Sequence, residues 1–372
     1  MKKIITTLFS IFLISTTVNS QDNFNELWLN VEKLELDDLP KSALKIVDKI
    51  YNKAAKENNS PQLIKSLFYK SKFSLILEEN AQLKVINQFK TQIAHQTFPT
   101  KNILENILGN LYWQYFKQNR YKFYNRTATK EKTNLKDFRT WDLATIFKEI
   151  QFHFDNSLQN DKQLLEIKIT DYNDILNIDD ETIQFKPSLF DFLANSALKF
   201  YNTSENSIHK PSYKFEINNP DFIKNSQTFS SLEIKSKDSI SNQFHALKLY
   251  QKLIQLHSEK NQKNALAHID IERLKFVESN GTFKNSKAEL LKTLQTSKQN
   301  NSLHESSGLY AFEIAQIFNE KALHYKDTQK KENQFKNKEA LELCNQTILK
   351  FPESLAAKKC KVLKANILNS SL

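Results

Sequence analysis

Glycine is nearly absent from this chain of 372 residues, and its absence excludes several kinds of structure. The three glycines, Gly109, Gly281 and Gly308, stand far apart, so none belongs to a glycine-rich loop that could cradle a phosphate. The turns of β-hairpins need residues with positive φ, usually Gly or Asn. Because the chain has only three glycines and seven prolines, the sequence favours helices joined by polar loops.

Motifs that carry catalysis or bind metals are also missing. The sequence contains no HExxH, no CxxC pair and no GxSxG elbow, and no carboxylate spacing identifies the acid and base of a glycosidase. His245, His257 and His268 could meet in one helical hairpin, but the polar stretch after His257 favours partly buried histidines over a metal site. We therefore predict a protein that is not an enzyme, with no catalytic, cofactor-binding or metal-binding residue and no cofactor.

Arginine is scarce although the chain is basic. The formal net charge is +11, yet only four of the 53 basic residues are arginines. Arginine is the side chain that makes bidentate hydrogen bonds to phosphates and guanine edges, whereas lysine-rich helix faces are usually solvated. We expect no nucleic-acid partner, and the partner should be a protein or a peptide.

No apolar run is long enough to cross a bilayer, and the run at the amino terminus has the form of a signal peptide. Lys2 and Lys3 precede the apolar segment Ile4–Thr17, and small residues lead to Ser20. We predict cleavage after Ser20 and an exported chain, without a membrane span, in the periplasm or cell envelope. Losing Lys2 and Lys3 would lower the net charge from +11 to +9. An uncleaved anchor is the alternative.

What the sequence has in abundance is helical periodicity. Ala43, Val47, Ile50 and Ala54 lie on one stripe of a helix with 3.6 residues per turn. Further helices are predicted from a Ser60 N-cap to Leu77, over 82–94, 101–117 and 140–158, and from Ser188 to Tyr201 with Asp191 completing a capping box. Three tryptophans stand in apolar surroundings and should be core anchors: Trp28, Trp113 and Trp141.

The chain should have three parts after a signal peptide of residues 1–20. An N-terminal helical region over residues 21–202 precedes an irregular connection over residues 203–242, where Pro211 and Pro220 break any helix. A tetratricopeptide-like helical region over residues 243–372 follows. The predicted fold is mostly all-α and built from helical hairpins, with a few short strands at Leu164–Ile169 and Tyr213–Ile234.

A faint internal repeat supports the assignment of the last region. The segments that begin at Ala246 and Ala340 align without a gap, and a second pair of segments follows each of them, which implies two helical hairpins. Four residues have the spacing of the second helix of a tetratricopeptide repeat: Ala340, Cys344, Thr347 and Pro352. The first-helix pattern of that repeat is missing, so the expected partner helix is Gly308–Leu323, joined by an insert.

The two cysteines are expected to face each other. Cys344 lies eight residues before Pro352 and Cys360 eight residues after it, so a reversal near Pro352 brings both to one level of a hairpin. Each also lies on the apolar stripe of its helix. Two alternatives stay open, a disulfide formed after export or two neighbouring buried thiols.

Four sequence blocks carry a resemblance to a known family: Trp28 with Leu39–Ala54, Asp137–Leu158, Lys186–Tyr201 and Phe351–Ile367. In order and spacing they resemble the amino-terminal helical region of large alpha-2-macroglobulin family proteins of the Bacteroidetes type. That family resembles protease traps in which β-sandwich domains, a bait segment and sometimes a thioester follow this region. The present sequence has no Cys-Gly-Glu-Gln motif, so the resemblance assigns neither trapping nor thioester chemistry to any residue here.

Two functions are compatible with these observations. The resemblance implies a non-catalytic helical module of an alpha-2-macroglobulin-like envelope protein of the protease-inhibitor family, either truncated, split or standing alone. The alternative is an independent tetratricopeptide-like scaffold that binds a peptide or protein partner in the envelope.

Overall fold

The computed structural model describes residues 24–125, 137–176, 178–203, 213–325 and 333–369. Within these residues the chain is α-helical, with a few 3-10 turns and no β-sheet. The predicted all-α fold of helical hairpins is therefore confirmed. The chain divides into unit 1, which ends at Ile178, and unit 2, which begins at Asp179.

Unit 1 is a set of antiparallel helices with α5 near its centre. Helices α2, α3, α4 and α5 pack in succession, and α5 also packs against α6 and α7. Its helices have these bounds: α1 (24–36), α2 (Pro40–Lys56), α3 (Ser60–Leu77), α4 (Ala81–His95), α5 (Thr100–Gln118), α6 (Arg120–Tyr124), α7 (Leu143–Ser157) and α8 (Asp161–Leu164).

The three tryptophans are buried in unit 1, as predicted. Trp28 joins α1 to α3, because its indole Nε1 donates to Gln62 Oε1 at 2.6 Å. Trp113 stacks on Phe116 with 5.3 Å between ring centroids, and Trp141 stacks on Tyr112 at 5.6 Å. Their exposed fractions are 4%, 9% and 3%, so each is part of the core.

Unit 2 is a helical-repeat arrangement. Each long helix packs on the next one along the chain, and α13, α15 and α17 also pack on each other in that order. Its helices have these bounds: α9 (Asp180–Phe185), α10 (Leu189–Tyr201), α11 (Ser226–Ser230), α12 (Asn242–Glu259), α13 (Lys263–Asn280), α14 (Ser286–Asn300), α15 (Ser306–Leu323), α16 (Lys336–Lys350) and α17 (Leu355–Asn369).

Helix ends in both units reverse the chain without glycine. Asp38, Asn58 and Asn261 have φ of 54°, 55° and 52° and follow the ends of α1, α2 and α12. Each of these residues and the residue after it donate the paired hydrogen bonds of a Schellman motif, for example Asn59 N to Ala54 O at 2.9 Å. Asn and Asp tolerate this left-handed conformation better than other non-glycine residues, so they replace glycine at these hairpins.

One buried arginine on α13 binds the described part of the connection before α12. Arg273 Nη1 and Nη2 donate to the carbonyls of Phe222 and Lys224, the latter at 2.8 Å, and its guanidinium lies 4.5 Å from the Phe229 ring centroid. Asp270 neutralises the charge, and Tyr310 Oη on α15 donates to the second carboxylate oxygen at 3.1 Å. Arg273 and Asp270 are fully buried, so the connection, α13 and α15 share one polar core.

The predicted short strands are wrong. Residues 161–172 form α8, a turn and a 3-10 helix, Ile169–Tyr172. In the described part of the connection, Asn219 and Asn225 cap a 3-10 helix (Pro220–Ile223) and α11, and only Ile217 makes an isolated bridge, to Gly281. The apolar residues alternate here because an irregular segment packs on the hairpin α12–α13. The ring centroids of Phe215 and Phe244 are 5.6 Å apart, and Ile217 is buried.

Two predicted boundaries also differ from the structure. The division between units lies at Ile178 and Asp179 instead of residues 203–242, because α10 packs on α12 and α9 on α13. The N-cap of α3 is Asn59, one residue before Ser60, since Asn59 Oδ1 accepts from Gln62 N at 3.2 Å. The capping box of Ser188 and Asp191 forms as predicted. Among the described residues, no helix combines the length and apolar character needed to cross a membrane.

The Arg273 network gives a stability prediction. Arg273→Leu should lower the free energy of unfolding by about 3–5 kcal/mol, because it leaves a buried carboxylate and two carbonyls without their partner. Urea unfolding followed by circular dichroism at 222 nm measures this. Lys235→Ala is the control, since Lys235 pairs with Glu233 while 77% exposed and its loss should leave the midpoint unchanged. Equal midpoints for both variants would contradict the anchoring role.

Candidate functional site

A groove opens in unit 2 where α14 and α16 flank the amino-terminal half of α15. It encloses about 190 Å³. Its floor is formed by Ser307, Gly308 and Ala311 of α15. Its walls and ends are formed by Lys298, Gln299 and Ser302 on the α14 side, and by Leu343, Gln346, Thr347, Lys350 and Phe351 on the α16 side.

The floor of the groove is formed by small residues of α15 at the point where the helices meet. A Cβ at Gly308 would lie 2.8 Å from Ala356 Cβ and 2.9 Å from Thr347 Cγ2, closer than real Cβ contacts allow. Only glycine fits this position without a shift of the neighbours. The contact holds α15 close to both α16 and α17, so the groove has a fixed base.

The groove is basic. Among the described residues that line it, Lys298 and Lys350 are the cations and no carboxylate is present. Lys350 Nζ donates to the Ser302 carbonyl at 2.6 Å, which holds its ammonium across the end of the groove. Gln299 and Gln346 add amides, and Leu343 and Phe351 add apolar surface. Such a surface suits a chain segment that presents carboxylates, backbone amides and some apolar atoms.

The predicted cysteine pair lies directly behind the α16 wall. Cys344 and Cys360 are both fully buried and carry free thiols in this structure, and their helices, α16 and α17, pack on each other. The interaction between the two thiols lowers the pKa of Cys344, and the same interaction together with burial raises the pKa of Cys360. The formation of a disulfide stays a prediction.

The structure does not bring the three histidines of the considered metal site together. His245 Nε2 lies 2.8 Å from the Ser239 carbonyl, and His268 pairs with Glu272 at 3.3 Å. His257 is buried, with Nε2 3.0 Å from Asp191 Oδ1 and Nδ1 2.8 Å from Gln262 Oε1. Nor does any other group of His, Cys, Asp and Glu in the described ranges have the arrangement of a metal site.

Unit 1 holds a buried ionic cluster that the sequence did not reveal. His153 of α7 lies between two carboxylates, with Nδ1 2.5 Å from Glu105 and Nε2 3.5 Å from Glu149. Lys90 of α4 reaches Glu149 at 2.9 Å and covers the Tyr112 ring, which stacks on His153. The only local signal is the i, i+4 spacing of Glu149 and His153, because Glu105 is 48 positions away.

Neighbouring charged groups shift the pKa values of His153, Glu149 and His257. Burial lowers the pKa of His153, but the hydrogen bond between its Nδ1 and Glu105 and the negative charges of Glu105 and Glu149 outweigh burial, so the pKa is raised. Burial also opposes the charge on Glu149, yet His153 and Lys90 lower its pKa to about 2. His257 follows the same pattern, since Asp191 outweighs burial and its pKa is raised. Each histidine thus has a carboxylate partner that favours its protonated form, and each pair joins two helices.

Comparison with known proteins gives no guide to the site. No family model matches the chain, and no curated protein and no solved structure matches it either. The groove of unit 2 is therefore the candidate site on geometric grounds.

The two histidines give a pH prediction. Because the folded-state pKa values of His153 and His257 are raised above the ordinary value of 6.5, their stabilisation is fully present below pH 6.5 and is lost as the pH rises through the raised values. The free energy of unfolding should therefore fall as the pH rises above about 6.5. The double variant His153→Gln, His257→Gln should flatten this dependence.

The measurement is urea unfolding at several pH values, with the exposed His95→Gln as the control. His95→Gln should keep the slope of the native chain. A double variant with the native slope would show that other groups cause the pH dependence.

Proposed function

We propose that this chain is an exported, non-catalytic helical module whose unit 2 binds an acidic, extended segment of a partner protein in the groove between α14 and α16. One observation carries the proposal: two lysines line a fixed groove in a helical-repeat arrangement, with no carboxylate beside them among the described lining residues. The signal-like residues 1–20 support export, and the absence of a recognisable catalytic motif supports binding rather than catalysis.

The shape of the groove supports an extended segment. Helical repeats stack so that neighbouring helices leave continuous channels between them, and such channels accept a strand-like chain more readily than a folded surface. The side-chain amides of Gln299 and Gln346 stand on opposite walls, where each can bond to the backbone of the bound segment. Leu343 and Phe351 can cover its apolar side chains.

The charges support an acidic segment. Lys298 on α14 and Lys350 on α16 lie on different helices, so a segment along the groove would pass both ammonium groups. Each contact with a carboxylate is worth up to about 1 kcal/mol at a partly exposed site, and the attraction is screened by salt. Affinity should therefore come from apolar contact and backbone bonding, while the lysines select acidic partners.

The resemblance to the alpha-2-macroglobulin family remains compatible with this proposal. A binding groove serves a helical module of a protease-inhibitor protein as well as a stand-alone tetratricopeptide-like scaffold. The groove favours the scaffold as the immediate description, because it supplies a place for a peptide or protein partner. The family assignment stays a prediction.

The test uses a fluorescein-labelled decapeptide of alternating Glu and Leu, with a second peptide in which every Glu is replaced by Gln. Fluorescence anisotropy should show saturable binding of the Glu peptide to the full chain, and weaker binding of the Gln peptide. The double variant Lys298→Gln, Lys350→Gln should weaken the Glu peptide about tenfold, since two contacts of about 0.7 kcal/mol are lost.

The matched control is the double variant Lys292→Gln, Lys338→Gln. It removes the same charge from exposed positions of α14 and α16 that do not line the groove. Its affinity for the Glu peptide should stay within about twofold of the native chain. Equal weakening by both double variants would mean that net charge rather than the groove attracts the peptide. No binding of the Glu peptide to the native chain would also reject the proposal.

A further inference from the structure

We propose that Cys344 and Cys360 form an intrachain disulfide in the exported protein, and that this bond fixes the α16 wall of the groove against α17. The bond itself is independent of the groove's function, whereas its effect on binding rests on the proposed function.

The first support is the placement of the two thiols on helices that pack on each other. Cys344 on α16 and Cys360 on α17 are both fully buried, and α16 packs directly on α17. The reversal between the helices is short: Phe351 to Ser354 join them, and Ser354 Oγ accepts from Ala357 N at 3.1 Å to cap α17. The hairpin therefore holds the two sulfurs at the same level.

The second support is the size of the residues around them. A disulfide needs Cα atoms about 4.4–6.8 Å apart, whereas packed helices commonly keep their axes about 8–10 Å apart. The buried residues of α16 are Ala340, Cys344 and Thr347, and Cys360 of α17 is preceded by buried Ala356 and Ala357. Small buried side chains on both helices favour a close approach of α16 and α17, which pack on each other.

The third support connects the pair to the groove. Leu343 and Thr347, which line the groove, stand on the same helical turns as Cys344. Thr347 also abuts Gly308 on the floor, and Ala356 of α17 abuts it from the other side. A covalent bond between α16 and α17 would therefore hold the wall and the floor in one geometry.

The disulfide would form by thiol–disulfide exchange, in which a small-molecule or protein disulfide is the oxidant. The Cys344 thiolate attacks the oxidant disulfide, forms a mixed disulfide and releases the first oxidant thiolate. Cys360 then attacks the Cys344 sulfur and releases the second, so two S–H bonds break, one S–S bond forms, two protons leave and the oxidant takes two electrons. Because both thiols are buried, exchange precedes docking of α17 or follows its local opening.

The test starts from the full native chain treated with glutathione disulfide at pH 8. It is then unfolded in urea without reductant, labelled with a maleimide and weighed by mass spectrometry. We expect no adduct before reduction, two adducts after reduction and a monomer on a non-reducing gel. Two adducts before reduction, or a disulfide-linked dimer, would overturn the proposal. The count is made on unfolded native chain, so it does not depend on the folding of any variant.

Thermal unfolding and peptide binding test the consequence for the groove. The disulfide closes a loop of about 16 residues, so the oxidised chain should melt roughly 6–12 °C above the reduced chain. Cys360→Ser should melt at the same temperature with and without reductant. The Glu–Leu peptide should bind the oxidised chain at least about threefold more tightly than the reduced chain. Equal binding would overturn the claim about the wall. If neither form binds the peptide, the proposed function fails while the thiol count still decides the disulfide.

Discussion

A chain made almost entirely of helices must turn back on itself at the end of each one, and this protein does so with very little glycine. The usual residue after a helix end is a glycine in the left-handed conformation. Here Asp38, Asn58 and Asn261 take that conformation, and none of the described glycines has a positive φ. The direction of each following helix depends on these turns, because one misplaced residue would rotate its apolar stripe away from the core. The hairpins α2–α3 and α12–α13 each contain one such left-handed asparagine, Asn58 and Asn261.

Buried charge complements the turns by joining elements that are distant in the sequence. Arg273 ties the connection to α13 and, through Asp270, to α15. His153 joins α7 to α5 through Glu105. Groups of this kind contribute less net stability than apolar side chains of the same size, but a misplaced partner leaves a buried charge alone at high cost. They therefore oppose alternative packings of helices whose apolar faces are otherwise similar.

The sequence predicted those features that depend on neighbours along the chain. Helical periodicity, the capping box of Ser188 and Asp191 and the burial of the tryptophans all follow from local spacing, and the structure has them. The alternation from Tyr213 to Ile217 was misleading, because Asn219 and Pro220 turn the chain before a second strand can pair with it. Contacts such as Glu105 with His153, and the groove between α14 and α16, depend on tertiary packing that no local pattern encodes.

The asparagines at the hairpin turns also have a consequence for how the protein can change. Five non-glycine residues adopt positive φ, each at some cost relative to glycine, although glycine would add backbone freedom to the unfolded chain. The chain thus keeps a small store of conformational strain at residues that do not line the groove. Replacing one such asparagine by glycine would release that strain without changing the core. The turns are therefore positions where evolution or engineering can offset a destabilising substitution that improves binding.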